Sequence, residues 1–184
     1  MAQTAWACPV AEDLATGIRV TAADGTVDVY RDLGDGTVAQ EIDFGDGSVA
    51  KNVLARGVYV LRLAVEDGGV LDLDSVMQTT YDRNPAAMVP PTPGMQDKLR
   101  TTITDTSGSY KELQSHNWGE STEVRIGECT YEGIVGDVRY DSDEGAIVET
   151  VHYLPALGLG LLMAYTYDDE PTETYDLIRI EAVQ

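Results

Sequence analysis

The chain has 184 residues, 43% of them hydrophobic, enough for one domain with its own core. Twelve Lys plus Arg against thirty-two Asp plus Glu leave a formal charge of -20, which repels phosphate backbones and argues against nucleic acid as a partner. The longest apolar run, Leu157 to Tyr167, has eleven residues against the ~18 that a membrane helix needs, so no membrane span is expected.

The chain opens with MAQTAWACPV, small and polar residues of the kind left after signal-peptide removal. The expectation is a periplasmic or secreted protein whose signal peptide has been removed and to which Met1 was added. A lipobox at Cys8 is the weaker alternative, since Ala5-Trp6-Ala7 lacks its aliphatic residue. CPVAEDLATG then predicts a short N-terminal helix, with Pro9 in its first turn and Gly17 as its stop.

From there the period is two. Val27 and Val29 share one face and Asp28 and Tyr30 the other; Val38, Ile42 and Phe44 oppose Thr37, Glu41 and Asp43. Such alternation predicts half-buried antiparallel strands. Asp-Gly pairs fall at Asp24-Gly25, Asp35-Gly36 and Asp46-Gly47, eleven residues apart. That interval is one strand plus one turn. It lacks the ligand set of a calcium loop, so it predicts a β-meander rather than a metal array. Further strands are predicted at Gly57 to Glu66 and Val70 to Asp74, joined by Asp67-Gly68-Gly69.

NPAAMVPPTPG, Asn84 to Gly94, holds four of the seven prolines and predicts a link. It would divide a single domain, residues 1–184, into a β-meander half at 1–83 and a C-terminal β half at 95–184. Beyond it, TEVRIG, GIVGDVRY, AIVETVHY, GLLMAYTY and YDLIRIEAV read as strands, with DSDEG as a hairpin tip. The predicted class is mainly β: an antiparallel meander forming a strongly curved sheet or half-barrel.

The search for chemistry is mostly negative. Only His116 and His152 are available, which rules out a three-histidine zinc site and leaves no metal or cofactor to assign. His152 alternates with Thr150 and Leu154 on a predicted strand, and His116 reads as a loop residue beside Trp118. Nucleophile-elbow, P-loop and dinucleotide fingerprints are absent from the sequence. Carboxylates are plentiful, so an acid/base pair stays open. Cys8 and Cys129 are the only cysteines; export would make a disulfide between them the expectation, and two buried free thiols are the alternative.

The run ETVHYLPALGLGLLMAYTYDDEPTETYDLIRI, Glu149 to Ile180, has an aromatic-x-Pro-x-Leu-Gly turn after a strand, a return strand and an acidic tip. Upstream stand PPTPGMQDKLRTTITD and the pair of strands around Gly127-Glu128-Cys129-Thr130-Tyr131. Together, over Pro90 to Val183, these resemble an uncharacterised family of exported bacterial envelope domains with a half-open β-barrel, similar in outline to the periplasmic lipoprotein carriers. The resemblance implies a non-catalytic module that buries an apolar or lipid-like ligand in a concave sheet. Tyr153, Leu154, Pro155, Leu157 and Leu159 are the expected ligand-binding residues, with core packing as the competing role for this stripe. The expected partner is an apolar ligand or an envelope protein. Two alternatives stand beside this one: a structural or protein-interaction domain of the envelope, and a carboxylate-dependent hydrolase.

Overall fold

The computed structural model describes residues 7–143, 145–168 and 170–183. The Met1–Trp6 stretch, on which the expected export rests, lies outside them, as does Glu144 of the predicted hairpin tip. The chain is mainly β, as its alternation predicts. Its strands are β1 (Ile18–Ala22), β2 (Val27–Gly34), β3 (Thr37–Asp43), β4 (Ser48–Ala55), β5 (Tyr59–Asp67), β6 (Val70–Tyr81), β7 (Gln96–Asp105), β8 (Gly108–Ile126), β9 (Cys129–Ser142), β10 (Gly145–Leu154), β11 (Leu159–Tyr167), β12 (Glu173–Thr174) and β13 (Leu177–Ala182). They form one antiparallel sheet in which β1 to β12 follow in order and β13 pairs back onto β1. The predicted N-terminal helix is a single 3-10 turn at Ala11–Ala15, ended by Gly17 at φ +130°.

The three Asp-Gly pairs occupy the three successive turns from β1 to β4. Asp35 and Gly36 both have positive φ, 53° and 72°, the geometry that a two-residue hairpin requires. Asp24 and Asp46 act through their side chains: each Oδ1 accepts the backbone N–H two residues on, from Thr26 and Ser48, at 2.9 Å. The aspartates therefore close turns.

Bulges interrupt the ladders of β2–β3, β4–β5, β5–β6, β8–β9 and β10–β11, and each adds twist and bend to the sheet. The resulting curl brings β1–β4 against the distant β8–β11. Ile18, Val20, Tyr30, Val38 and Leu54 share one buried cluster with Val124, Ile126, Leu154, Leu157, Leu159 and Leu161. Two turns touch directly: the Gly160 N–H donates to the Gly57 carbonyl at 2.9 Å. A β-carbon on Gly57 would lie 2.0 Å from the Gly158 carbonyl oxygen, so only glycine allows this approach.

The sheet stays open, yet one short segment serves both of its edges. β12 pairs with β11 and β13 with β1, leaving only Tyr175 and Asp176 between them. The Tyr175 N–H donates to the Met163 carbonyl and the Ala23 N–H to the Asp176 carbonyl, both at 2.8 Å.

Cys8 and Cys129 form a disulfide across 121 residues. It straps the N-terminal segment to the β8–β9 turn, where the Tyr131 hydroxyl also donates to the Pro9 carbonyl at 3.1 Å. The proline-rich link joins adjacent paired strands, β6 and β7, and is itself anchored. Met88 is buried, the Arg56 Nε donates to the Met88 carbonyl at 3.0 Å, and the Tyr59 hydroxyl donates to the Val89 carbonyl at 2.9 Å.

Two outcomes are expected. Gly57→Ala should cost over about 1 kcal/mol more than Gly158→Ala in thermal melts, because Gly158 has similar positive φ but open space where its β-carbon would stand. Equal losses at the two positions would contradict the turn-to-turn contact. Reduction of the disulfide should lower the denaturation free energy by about 2–5 kcal/mol, read from denaturant titrations with and without reductant. An unchanged midpoint would deny the strap a role in stability.

Candidate functional site

Between the first strands and β9–β11 the curl encloses a cavity of about 400 Å³. Alternation decides which side chains reach it. From β2, β3 and β4 come Asp28, Gln40, Ile42, Ala50, Asn52 and Leu54, and from β9–β11 come Val138, Tyr140, Glu149, Val151, Gly160, Leu162 and Tyr165. The register explains the grouping: Asp28 pairs with Ile42 and Ile42 with Ala50, while Glu149 pairs with both Val138 and Tyr165. Tyr175, from the segment between β12 and β13, Phe44, from the β3–β4 turn, and Val60 and Leu63, from β5, also line it. Phe44 is 47% exposed, which places a rim of the cavity at that turn.

The lining is mainly apolar, and its polar groups are arranged in two places. On the β2–β4 wall, the Asp28 Oδ2 accepts from the Tyr30 hydroxyl and from the Gln40 Nε2, both at 3.0 Å. The Asn52 Nδ2 in turn donates to the Gln40 Oε1 at 2.9 Å. Burial raises the Asp28 carboxyl above its ordinary range, against the hydrogen bonds from Gln40 and Tyr30, which lower it. Tyr30 is fully buried, and its hydroxyl is pushed far upward by that burial and by the neighbouring Asp28 charge. It therefore serves this chain as a donor.

On the opposite wall, the Tyr140 hydroxyl donates to the Glu149 Oε2 at 2.8 Å. Burial raises the Glu149 carboxyl; the bond from Tyr140 works against the rise and the nearby Glu112 charge adds to it. Glu112 is likewise raised by burial, although Gln114 and Thr101 hydrogen-bond it. These two acids feel each other, but only Glu149 belongs to the cavity lining. Besides burial, the Asp28 shift is governed by Gln40, Tyr30 and Asp24, and the Glu149 shift by Tyr140 and Glu112. The two cavity acids thus have different immediate neighbours. What the arrangement can do is hold an apolar body and offer it two carboxyl groups.

His116 lies in the middle of β8, buried, where a loop was expected. Its ring stands 5.2 Å from that of Tyr59 and its Nε2 is 3.4 Å from the Gln114 Oε1. Burial pulls its pKa down to about 4, outweighing the opposing charge of Asp97, so the imidazole is neutral at pH 7. His152 is partly buried on β10, and burial lowers its pKa too; its Nδ1 has no hydrogen-bond partner among the described residues. No group of three or more His, Cys, Asp or Glu able to hold a metal occurs among the described residues.

None of the five expected ligand-binding residues lines this cavity. Leu154, Leu157 and Leu159 are buried in the main core, Tyr153 packs with its ring 6.2 Å from that of Trp118, and Pro155 is exposed in the β10–β11 turn. The same hairpin does contribute to the cavity, through Val151, Gly160, Leu162 and Tyr165. The run is apolar because the hairpin near its tip is buried on one face, at Leu159 and Leu161, and partly buried on the other, at Gly160 and Leu162. The polar lining went unread in the sequence because Asp28, Gln40, Asn52 and Glu149 occupy strand positions that ordinarily face water. The one available signal was an amide or acid at alternate positions on neighbouring strands.

Comparison with protein families, with curated proteins and with solved structures finds no match for this chain.

The Glu149 shift has a testable sign. Its carboxyl holds a proton more tightly in the folded state than at the ordinary 4.5, so its contribution to stability falls as pH rises from there through the raised folded value. Glu149→Gln should therefore gain melting temperature relative to wild type on going from about pH 4 to about pH 8. A difference that stays flat with pH would mean that Glu149 is not buried as described.

Proposed function

We propose that this protein is a non-catalytic binding module that takes a small apolar molecule into the cavity between β1–β5 and β9–β11. The observation that carries this reading is the cavity itself. Its volume of about 400 Å³ falls within the range of small-molecule sites, and a mainly apolar lining with a few placed polar groups is their usual composition. A core built only for packing would fill such a space, since interior voids larger than a water are few. The Cys8–Cys129 disulfide is consistent with an oxidising compartment. Together with the envelope-domain resemblance of the C-terminal half, it supports periplasmic or secreted placement. No helix among the described residues is long and apolar enough to cross a membrane.

The second reading, a protein-interaction domain, is favoured by the β5–β6 hairpin, where Val70 and Leu73 are 71% and 67% exposed. Native mass spectrometry of freshly purified protein, followed by titration with a neutral fluorescent apolar probe, separates the two. The binding reading expects a releasable small molecule or saturable uptake of the probe. It also expects Ala50→Leu, which adds bulk at a buried position on the lining, to weaken uptake about tenfold, a change of about 1.4 kcal/mol, with the β-sheet circular dichroism retained. Absence of both ligand and uptake would overturn it. Uptake that Val70→Ser and Leu73→Ser abolish would move the site to the hairpin.

A further inference from the structure

We propose that the cavity selects a protonated amine carried on an apolar body, with the ammonium group seated among Glu149, Tyr140, Tyr165 and Tyr175. This inference rests on the reading of the cavity as a ligand site and goes on to name the ligand's chemistry. Three independent features point to it.

The first is charge. The lining includes Asp28 and Glu149 and, among the described residues, no Lys, Arg or His. A fatty-acid carboxylate or a phosphate headgroup would enter a space with no cation to meet it and with two carboxyl groups beside it, and an unpaired charge in such surroundings is strongly disfavoured. An ammonium group meets two carboxyl groups and favours their charged form.

The second is the direction of the hydrogen bonds. A carboxylate only accepts, so at Asp28 it is the Gln40 Nε2 that donates. The Gln40 Oε1 then faces Asn52 and accepts from the Asn52 Nδ2. That order leaves the Asn52 Oδ1 over, buried and without a hydrogen-bond partner among the described residues, in a residue only 8% exposed. Asn52 lines the same cavity. The unused capacity on this wall is that of an acceptor, so neither wall offers a donor to an anionic head group, which can only accept.

The third is the company of Glu149. The Tyr140 hydroxyl holds its Oε2, Tyr165 is its direct cross-strand partner on β11, and Tyr175 is fixed nearby by its N–H bond to the Met163 carbonyl. All three tyrosines line the cavity. Aromatic rings attract cations through their electron-rich faces, most strongly where water is excluded, and a carboxylate among such rings is an ammonium site. Over longer range, the net charge of -20 would draw cations toward the protein and speed their capture.

Size sets the body. At the volume of a water in the liquid, about 30 Å³ for each heavy atom, a cavity of about 400 Å³ has room for roughly a dozen. Decylamine, decanol and decanoate are therefore matched probes differing only in the head group.

The test is calorimetric titration of the protein with these three at neutral pH, below their aggregation thresholds and in moderate salt. Decylamine is expected to bind about tenfold tighter than decanol, with decanoate weakest. Glu149→Gln should bring decylamine down to the level of decanol, and Tyr175→Leu should narrow the gap. If a variant fails to fold, the order among the three ligands on the wild-type protein, repeated in high salt, decides the matter, because attraction to the acidic exterior is screened there and a buried site is not. Equal affinities, or decanoate as the tightest, would overturn the amine assignment while leaving the cavity reading intact. No binding by any of the three would remove both. Amine binding that survives Glu149→Gln and vanishes in high salt would belong to the acidic exterior and would also overturn the site.

Discussion

The hydrogen bond from the Gly160 N–H to the Gly57 carbonyl is a small contact on which the shape of the molecule depends. It joins the β4–β5 turn to the start of β11, elements separated by six strands in the sheet order. A meander of this length has no intrinsic reason to meet itself. Bulges supply the bend, and the bare backbone of Gly57 lets the turns approach where a β-carbon would collide. Once the turns are joined, Leu54 and its neighbours can bury against Leu154, Leu159 and Leu161, and burial of such side chains drives folding. The strap from Cys8 to Cys129 and the anchored proline-rich link hold the margins of the same curl.

A sheet rolled this far leaves space between its walls, and the side chains facing that space are not those of an ordinary core. Burial makes a lone carboxylate costly, so each acid is held by hydrogen bonds: Asp28 by Tyr30 and Gln40, Glu149 by Tyr140. The raised carboxyls are the electrostatic signature of that compromise. They also give the cavity its polarity, because no basic side chain among the described residues lines it. Packing, hydrogen bonding and ligand preference thus follow from the same few inward positions.

Much of the architecture was legible in the sequence. Asp-Gly pairs at an eleven-residue interval specify hairpins because few residues tolerate positive φ, and the structure has a hairpin at each. Two cysteines allow one pairing, and that pairing is present. The positions that escaped are those where side-chain polarity runs against burial. Glu112, Gln114 and His116 lie on one face of β8 and are partly or wholly buried, so the strand lacks apolar alternation there and His116 reads as a loop residue. In the sequence Asp28 reads as part of a solvated face opposite Val27 and Val29, yet it is the face of Asp28 and Tyr30 that turns inward. At Leu154 to Leu162 the reverse holds: apolar residues on both faces mark a hairpin buried on one face and partly buried on the other, while the cavity-facing positions include a glycine. Cross-strand register supplies what a single sequence cannot, namely which inward positions share a wall.

The measurement that bears most directly on this account is methyl NMR of the free protein under xenon, which enters apolar cavities without needing a polar partner. Shift changes are expected at Val60, Leu63, Val151 and Leu162, which line the cavity, and not at Leu99 or Ile103, which are buried away from it. Absence of any response at the first group, or an equal response in both, would contradict a defined cavity between the walls of the rolled sheet.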